Sequence, residues 1–163
     1  METTTTRIGF STSTHLLSRL IRHLTRSPAS HAFLLYWDED FKRDMVLEAN
    51  GKGFNLIPFD LFQRINTVVE VRDLGRPLNQ GLVHVSQWIG TRYDGLGMIG
   101  MGMVLLGRIL KRRWANPLGA SSSLFCSEAI VRALIADGFP GASALDPEST
   151  SPADLMVFLS ARQ

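Results

Sequence analysis

Cys126 is the single cysteine of the chain. It stands in the run Ser121-Ser-Ser-Leu-Phe-Cys-Ser-Glu-Ala-Ile-Val-Arg-Ala-Leu134, whose apolar spacing reads as a helix beginning at about that residue. A helix N-terminus presents unpaired backbone N–H groups and partial positive charge. A thiol in the first turn therefore ionises more readily, and the thiolate is the nucleophilic form. One cysteine cannot close an intramolecular disulfide, so packing or chemistry must account for it, and for a lone cysteine on an apolar helix face packing is the commoner reason. Chemistry would require a base, and a further group to orient the base.

The chain has four histidines to supply that base. His15 and His23 fall on a predicted first helix and suit its surface. His84 sits beside Val83 and Val85 in another predicted helix and reads as a structural or surface residue. His31 differs, because it follows Pro28-Ala-Ser and opens the apolar run His31-Ala-Phe-Leu-Leu-Tyr-Trp37. A side chain at the mouth of a rigid strand can face a cleft. Glu48 interrupts the next apolar run, Met45-Val-Leu-Glu-Ala49. If the two runs are antiparallel neighbours, Glu48 can reach the imidazole, and an acid in a half-buried strand is costly unless paired. A carboxylate facing solvent on an edge strand fits the sequence equally well.

The elements that must position these residues follow from periodicity and turn signals. Thr14 to Arg26 reads as an amphipathic helix, with Leu16, Leu17, Leu20, Ile21 and Leu24 at helical spacing, Ser13 or Thr14 as cap, and Pro28 beyond its end. His31–Trp37 and Met45–Ala49 read as strands about a turn at Asp38-Glu-Asp40. Asn50-Gly51 is a tight-turn signal leading into a third strand, Gly53–Ile57. A short helical turn over Pro58–Ile65, a strand over Thr67–Arg72 and a helix over Leu78–Ile89 follow. Asn116-Pro-Leu-Gly119 breaks the chain before the cysteine helix, which stops at Asp137-Gly138. Its expected buried face is Phe125, Cys126, Ile130, Ala133 and Leu134. Pro140 to Pro152 reads as loop, before a last apolar segment, Val157 to Leu159. Strands in the middle with helices at both ends predict an α+β fold. Residues 1–163 are expected to form one domain, with 1–7 a flexible lead.

Composition excludes more than it selects. Lys and Arg total 17 against 15 Asp and Glu, a net charge of +2, so the chain is no polycation and nucleic acid is not expected as a partner. Arg108, Lys111, Arg112 and Arg113 form a short basic cluster of the kind found at a solvated helix end, and residues 38–48 are acidic. There is no zinc-type Cys/His spacing, glycine-rich phosphate loop or repeat, so no metal or cofactor is expected. The start, Met-Glu-Thr-Thr-Thr-Thr-Arg, has neither a basic lead nor an apolar segment, so no secretory signal is expected and synthesis is expected in the cytoplasm. The uncharged run from Gly95 to Gly107 is too short to span a bilayer. It reads as a buried helix or close-packed loop, or as an apolar wall for an acyl chain.

Taken in order, Ser30-His31 opening a strand, Glu48-Ala49 on the next, Tyr93-Asp94, and Phe125-Cys-Ser-Glu128 opening a late helix resemble the circularly permuted NlpC-like papain-fold hydrolases, the YiiX-like group. Ordinary NlpC-type enzymes place the cysteine helix before the histidine strand, whereas the permuted group has the order seen here. The closing Ser151-Pro-Ala-Asp-Leu155 is similar to the group's last motif, and the likeness runs from about Ile8 to Leu159.

The resemblance implies a permuted papain-like fold, a central antiparallel sheet with the C-terminal cysteine helix packed on it. It implies Cys126 as nucleophile, His31 as general base and Glu48 as the residue holding the imidazole. Tyr93 and Ser127 are the candidates for shaping the substrate and oxyanion site, and the Cys126 N–H is a natural oxyanion donor. The implied reaction is amide hydrolysis through a thioester, with a peptidoglycan peptide as substrate and no cofactor. Two further readings come with the resemblance. One is acyl transfer or thioester hydrolysis on lipid, suited to the 95–107 run. The other is a phage virion or tail component, active or inactive, assembled into a larger particle or released by lysis.

Overall fold

The computed structural model describes residues 5–50, 52–91 and 126–161. Strands β1 (Arg7–Thr12), β2 (His31–Asp38), β3 (Arg43–Asn50), β4 (Gly53–Pro58) and β5 (Thr67–Asp73) form one sheet in the order β4-β3-β2-β1-β5. Every neighbouring pair in it is antiparallel. The described helices are α1 (Leu16–Thr25), α2 (Phe59–Gln63), α3 (Asn79–Ser86), α4 (Cys126–Ala136) and α5 (Pro152–Ser160), with a 3-10 turn at Ala142–Ala144. The fold is α+β, as composition and periodicity led one to expect.

Side chains alternate across a strand, so each face of the sheet gathers its own set. Ile8 and Phe10 of β1, Ala32 and Leu34 of β2, and Leu47 and Ala49 of β3 turn to one face. There they form a core with Ala129, Ile130, Ala133 and Leu134 of α4 and Leu155 and Leu159 of α5. Phe33 and Leu35 of β2 and Val46 of β3 turn to the other, where Phe62 of α2 covers them. This is why β2 is apolar almost without interruption: it is covered on both sides, and alternation has no polar face to show.

Helix α4 is held on the sheet from behind by α3. Gly81 makes that approach close, since a Cβ there would run into the backbone carbonyl of Ala133 and the Asp137 carboxylate. The Gly81 N–H donates to that same carboxylate. At the end of the chain Ser151 and Asp154 form a capping box that starts α5, where sequence reading found only a motif and an apolar tail.

Three expectations need correction. Residues 5–7 are not a flexible lead. Thr6 is buried, its N–H donates to the Arg76 carbonyl at 3.0 Å, and its hydroxyl accepts the Leu78 N–H at 2.9 Å. Arg7 already belongs to β1 and pairs with Asp44. The strand escaped the sequence because Gly9 separates its two apolar residues and Ser11 follows them; pairing on both sides makes it a strand. Neither Ser13 nor Thr14 caps α1, whose N-cap is His15 without a side-chain hydrogen bond. The nearby hydroxyls are used to tie α1 to the sheet instead: Ser18 Oγ meets Ser30 Oγ at 2.6 Å and Thr12 Oγ1 at 3.1 Å. Lastly, Leu16 and Leu20 lie exposed rather than on a buried stripe. Among the described residues no helix is long and apolar enough to cross a membrane.

Candidate active site

Strands β2 and β3 pair from Asp38/Arg43 as far as Leu34/Leu47. Beyond that level β2 goes on beside β1, with His31 opposite Ser11, and β3 goes on beside β4, with Glu48 opposite Asn55 and Asn50 opposite Gly53. The candidate site occupies this parting of the strands. By alternation His31 shares a face with Phe33, and Glu48 with Val46, so both turn toward α2. The His31 ring stacks on Phe62, centroids 6.2 Å apart, and Phe62 is locked in turn against Phe33 at 4.4 Å.

Across the gap, His31 Nε2 lies 2.8 Å from Glu48 Oε2. The imidazole side chain is 18% exposed and the carboxylate 3%. This decides between the two readings of Glu48: it is a buried, paired acid. Its other oxygen, Oε1, accepts from Asn50 Nδ2 at 2.8 Å. With Nε2 committed to Glu48, Nδ1 is the ring nitrogen left for the thiol.

Cys126 arrives from the opposite face, at the head of α4, and hydrogen-bonds the His31 side chain. Its sulfur also accepts from the backbone N–H groups of Ala32 and Ser127. A first-turn N–H such as that of Ser127 has no carbonyl within its own helix, so it is free to point at sulfur. Burial pushes the Cys126 thiol up. The His31 charge, the His31 hydrogen bond and the two backbone donors outweigh this and hold it below its ordinary value. Burial likewise opposes a charged imidazole, yet the charge of Cys126, its hydrogen bond and Glu48 push the His31 pKa up to about 10. Both shifts run in the direction that favours a thiolate beside an imidazolium.

No protein-family model matches the chain, and no curated protein matches its sequence. The site is therefore read from its own geometry.

Of the residues singled out from sequence, Cys126, His31 and Glu48 come together. Ser127 adjoins them through its backbone only; its hydroxyl is buried and donates to the Thr150 carbonyl at 2.6 Å. As a side chain it is therefore no oxyanion donor. His15, His23 and His84 are exposed and apart, His84 lying edge-on to Trp88 at 5.3 Å. Tyr93, Phe125, the 95–107 run, the break at Asn116–Gly119 and the basic cluster at 108–113 lie outside the described residues. Sequence reading missed Asn50, taken only as a turn residue, along with Phe62 and the Ala32 N–H. A polar residue two positions after Glu48 shares its strand face, which was the available signal for Asn50. Nothing local marks a backbone donor. Among the described residues no cluster of three His, Cys, Asp or Glu could hold a metal ion.

Proposed function

We propose that this protein is a cysteine hydrolase of the permuted NlpC-like, papain-fold kind, acting on amide bonds in cell-wall peptides. The observation that carries the reading is the Cys126–His31–Glu48 relay: a helix-head thiol, a strand-head imidazole and a buried carboxylate in hydrogen-bonded sequence. The substrate class comes from the motif resemblance; the reaction class comes from the relay.

The thiolate of Cys126 adds to the scissile carbonyl carbon, and the carbonyl electron pair moves onto oxygen, where the Cys126 N–H is a donor. Collapse expels the amine, which takes its proton from His31, leaving a thioester and a neutral imidazole. His31 then removes a proton from water as that water adds to the thioester. Expulsion of the thiolate restores the Cys126–His31 ion pair. Glu48 holds the ring so that one nitrogen faces sulfur throughout and stabilises the charged imidazole.

The test is release of soluble fragments from purified peptidoglycan by the protein and by Cys126→Ala. Wild type is expected to release new amino or carboxyl ends and Cys126→Ala none, with the two proteins melting alike. Full activity in a folded Cys126→Ala protein would end the proposal.

A further inference from the structure

We infer that Asn50 is a positioning residue of this site, its side-chain amide fixing the Glu48 carboxylate on His31; the inference deepens the hydrolase reading and rests on it for its effect on turnover. Glu48 is 3% exposed and uses both oxygens, Oε2 on His31 Nε2 at 2.8 Å and Oε1 on Asn50 Nδ2 at 2.8 Å. A carboxylate held at one oxygen can rotate about its last bond. Held at both, it cannot turn without giving up a charge-assisted hydrogen bond.

The Asn50 amide is itself held in one direction. Its Oδ1 accepts the Lys52 backbone N–H at 2.9 Å and Asn55 Nδ2 at 3.3 Å, and Asn55 Nδ2 also reaches the Gly53 carbonyl at 3.1 Å. Turning the amide over would set N–H against N–H at Lys52 and oxygen against oxygen at Glu48. The donor therefore faces the carboxylate because its partners leave no other choice. Asn50 closes the β3–β4 hairpin opposite Gly53. Asp or Gly would also suit such a turn. An amide alone offers an acceptor to Lys52 and a standing donor to Glu48. Among the described residues the titratable groups facing this link are Glu48, His31 and, through His31, Cys126; Asn55, on the adjoining strand, is neutral.

Because the chain has one cysteine, iodoacetamide reads Cys126 alone and needs no substrate. Alkylation rates of wild type and Asn50→Ala would be measured from about pH 4 to about pH 10, with thermal melts alongside. With the donor gone, Glu48 no longer stays on His31 and the ion pair weakens. The acid limb of the Asn50→Ala profile should move up by about one pH unit, roughly tenfold in rate at a given pH on that limb, with the alkaline plateau kept within about twofold. A turn residue without a positioning role would lower the melt and leave the profile unmoved, and superimposed profiles overturn the inference. If Asn50→Ala does not fold, the wild-type Asn50 side-chain amide protons decide by NMR. They should titrate in step with the Cys126 thiolate, and a flat response overturns the inference. An ordinary thiol profile in wild type would instead remove the hydrolase reading itself.

Discussion

Glu48 Oε2 stands 2.8 Å from His31 Nε2 at a level where their strands no longer pair with each other. A continuing ladder would fill the space between β2 and β3 with backbone. Its early end opens a notch in which a side-chain bond replaces the backbone link, and α4 delivers the thiol to the same ring from the far face. One imidazole thereby joins two consecutive strands to a helix far along the chain: β2 carries it, β3 holds it and α4 brings the thiol to it. A buried carboxylate left unpaired costs several kcal/mol, so Glu48 is tolerated at 3% exposure because His31 and Asn50 take both oxygens.

Glu48→Gln tests that arrangement most directly. The amide has one acceptor where the carboxylate has two, so one of its ends must face a donor, either His31 or Asn50. Losing a hydrogen bond to a charged group costs about 1.5–3 kcal/mol, roughly a 10- to 100-fold fall in kcat. Peptide release should fall by that factor with KM little changed, since Glu48 holds the ring rather than the substrate. A Gln variant with wild-type kcat would show that the ring needs no carboxylate.

The ion pair has a signature in stability. His31, raised to about 10 from its ordinary 6.5, contributes stability that is full below 6.5 and is lost as pH rises through about 10. Cys126, lowered from 9.0, contributes stability present above 9.0 and lost as pH falls through its folded value. Where the pH lies above both 6.5 and the folded Cys126 value and below 9.0, the folded pair holds one proton as thiolate and imidazolium, and the unfolded chain also holds one, as thiol and neutral imidazole. The two trends cancel there. The pair's stability should therefore be level across that window and fall on both sides. Subtracting Cys126→Ser melting curves from wild type isolates it, and a steady slope across the window would rule out the ion pair.

How much of this could be read beforehand depends on what each residue's signal is made of. His31 and Glu48 were legible because each breaks a pattern, a histidine at a strand mouth and an acid inside an apolar run. Cys126 was legible because it is single and opens a helix. β1 was not, because Gly9 and Ser11 dilute its apolar pattern and its strand character comes from β2 and β5 on either side. Leu16 and Leu20 misled: helical spacing marks a face that could be buried, but only the rest of the fold decides whether anything covers it. Asn50 hid behind its turn role, because the same side chain meets a local and a distant need.

Phe62 is the base on which His31 rests. It is fully buried in a small cluster with Phe33, Leu35 and Val46, separate from the main core. Phe62→Ala should cost about 3–5 kcal/mol, the usual range for emptying a buried aromatic site. Phe62→Leu keeps most of the volume and loses the stacking surface. Denaturant unfolding should rank wild type above Leu above Ala. The Leu variant should also alkylate at Cys126 more slowly at neutral pH, because a looser ring pairs less well with sulfur. A Leu variant with an unchanged alkylation profile would confine Phe62 to packing.

Gly81→Ala separates two opposing effects whose sum has a definite sign. In an ordinary helix interior the change stabilises by about 0.5–1 kcal/mol, because alanine loses less backbone freedom on folding. Here the new methyl would meet the Ala133 carbonyl, which is backbone and hydrogen-bonded into α4, besides the Asp137 carboxylate that accepts the Gly81 N–H. The carbonyl cannot swing aside as a side-chain tip would, and moving the carboxylate gives up its hydrogen bond from the Gly81 N–H. α3 must therefore lift from α4, and overpacking of this kind costs about 1–3 kcal/mol. The larger effect wins, so the midpoint of urea unfolding should fall with its slope unchanged. Destabilisation would mark Gly81 as the contact that lets α3 seat the cysteine helix on the sheet. A gain in stability would mean that α3 and α4 do not approach so closely in solution.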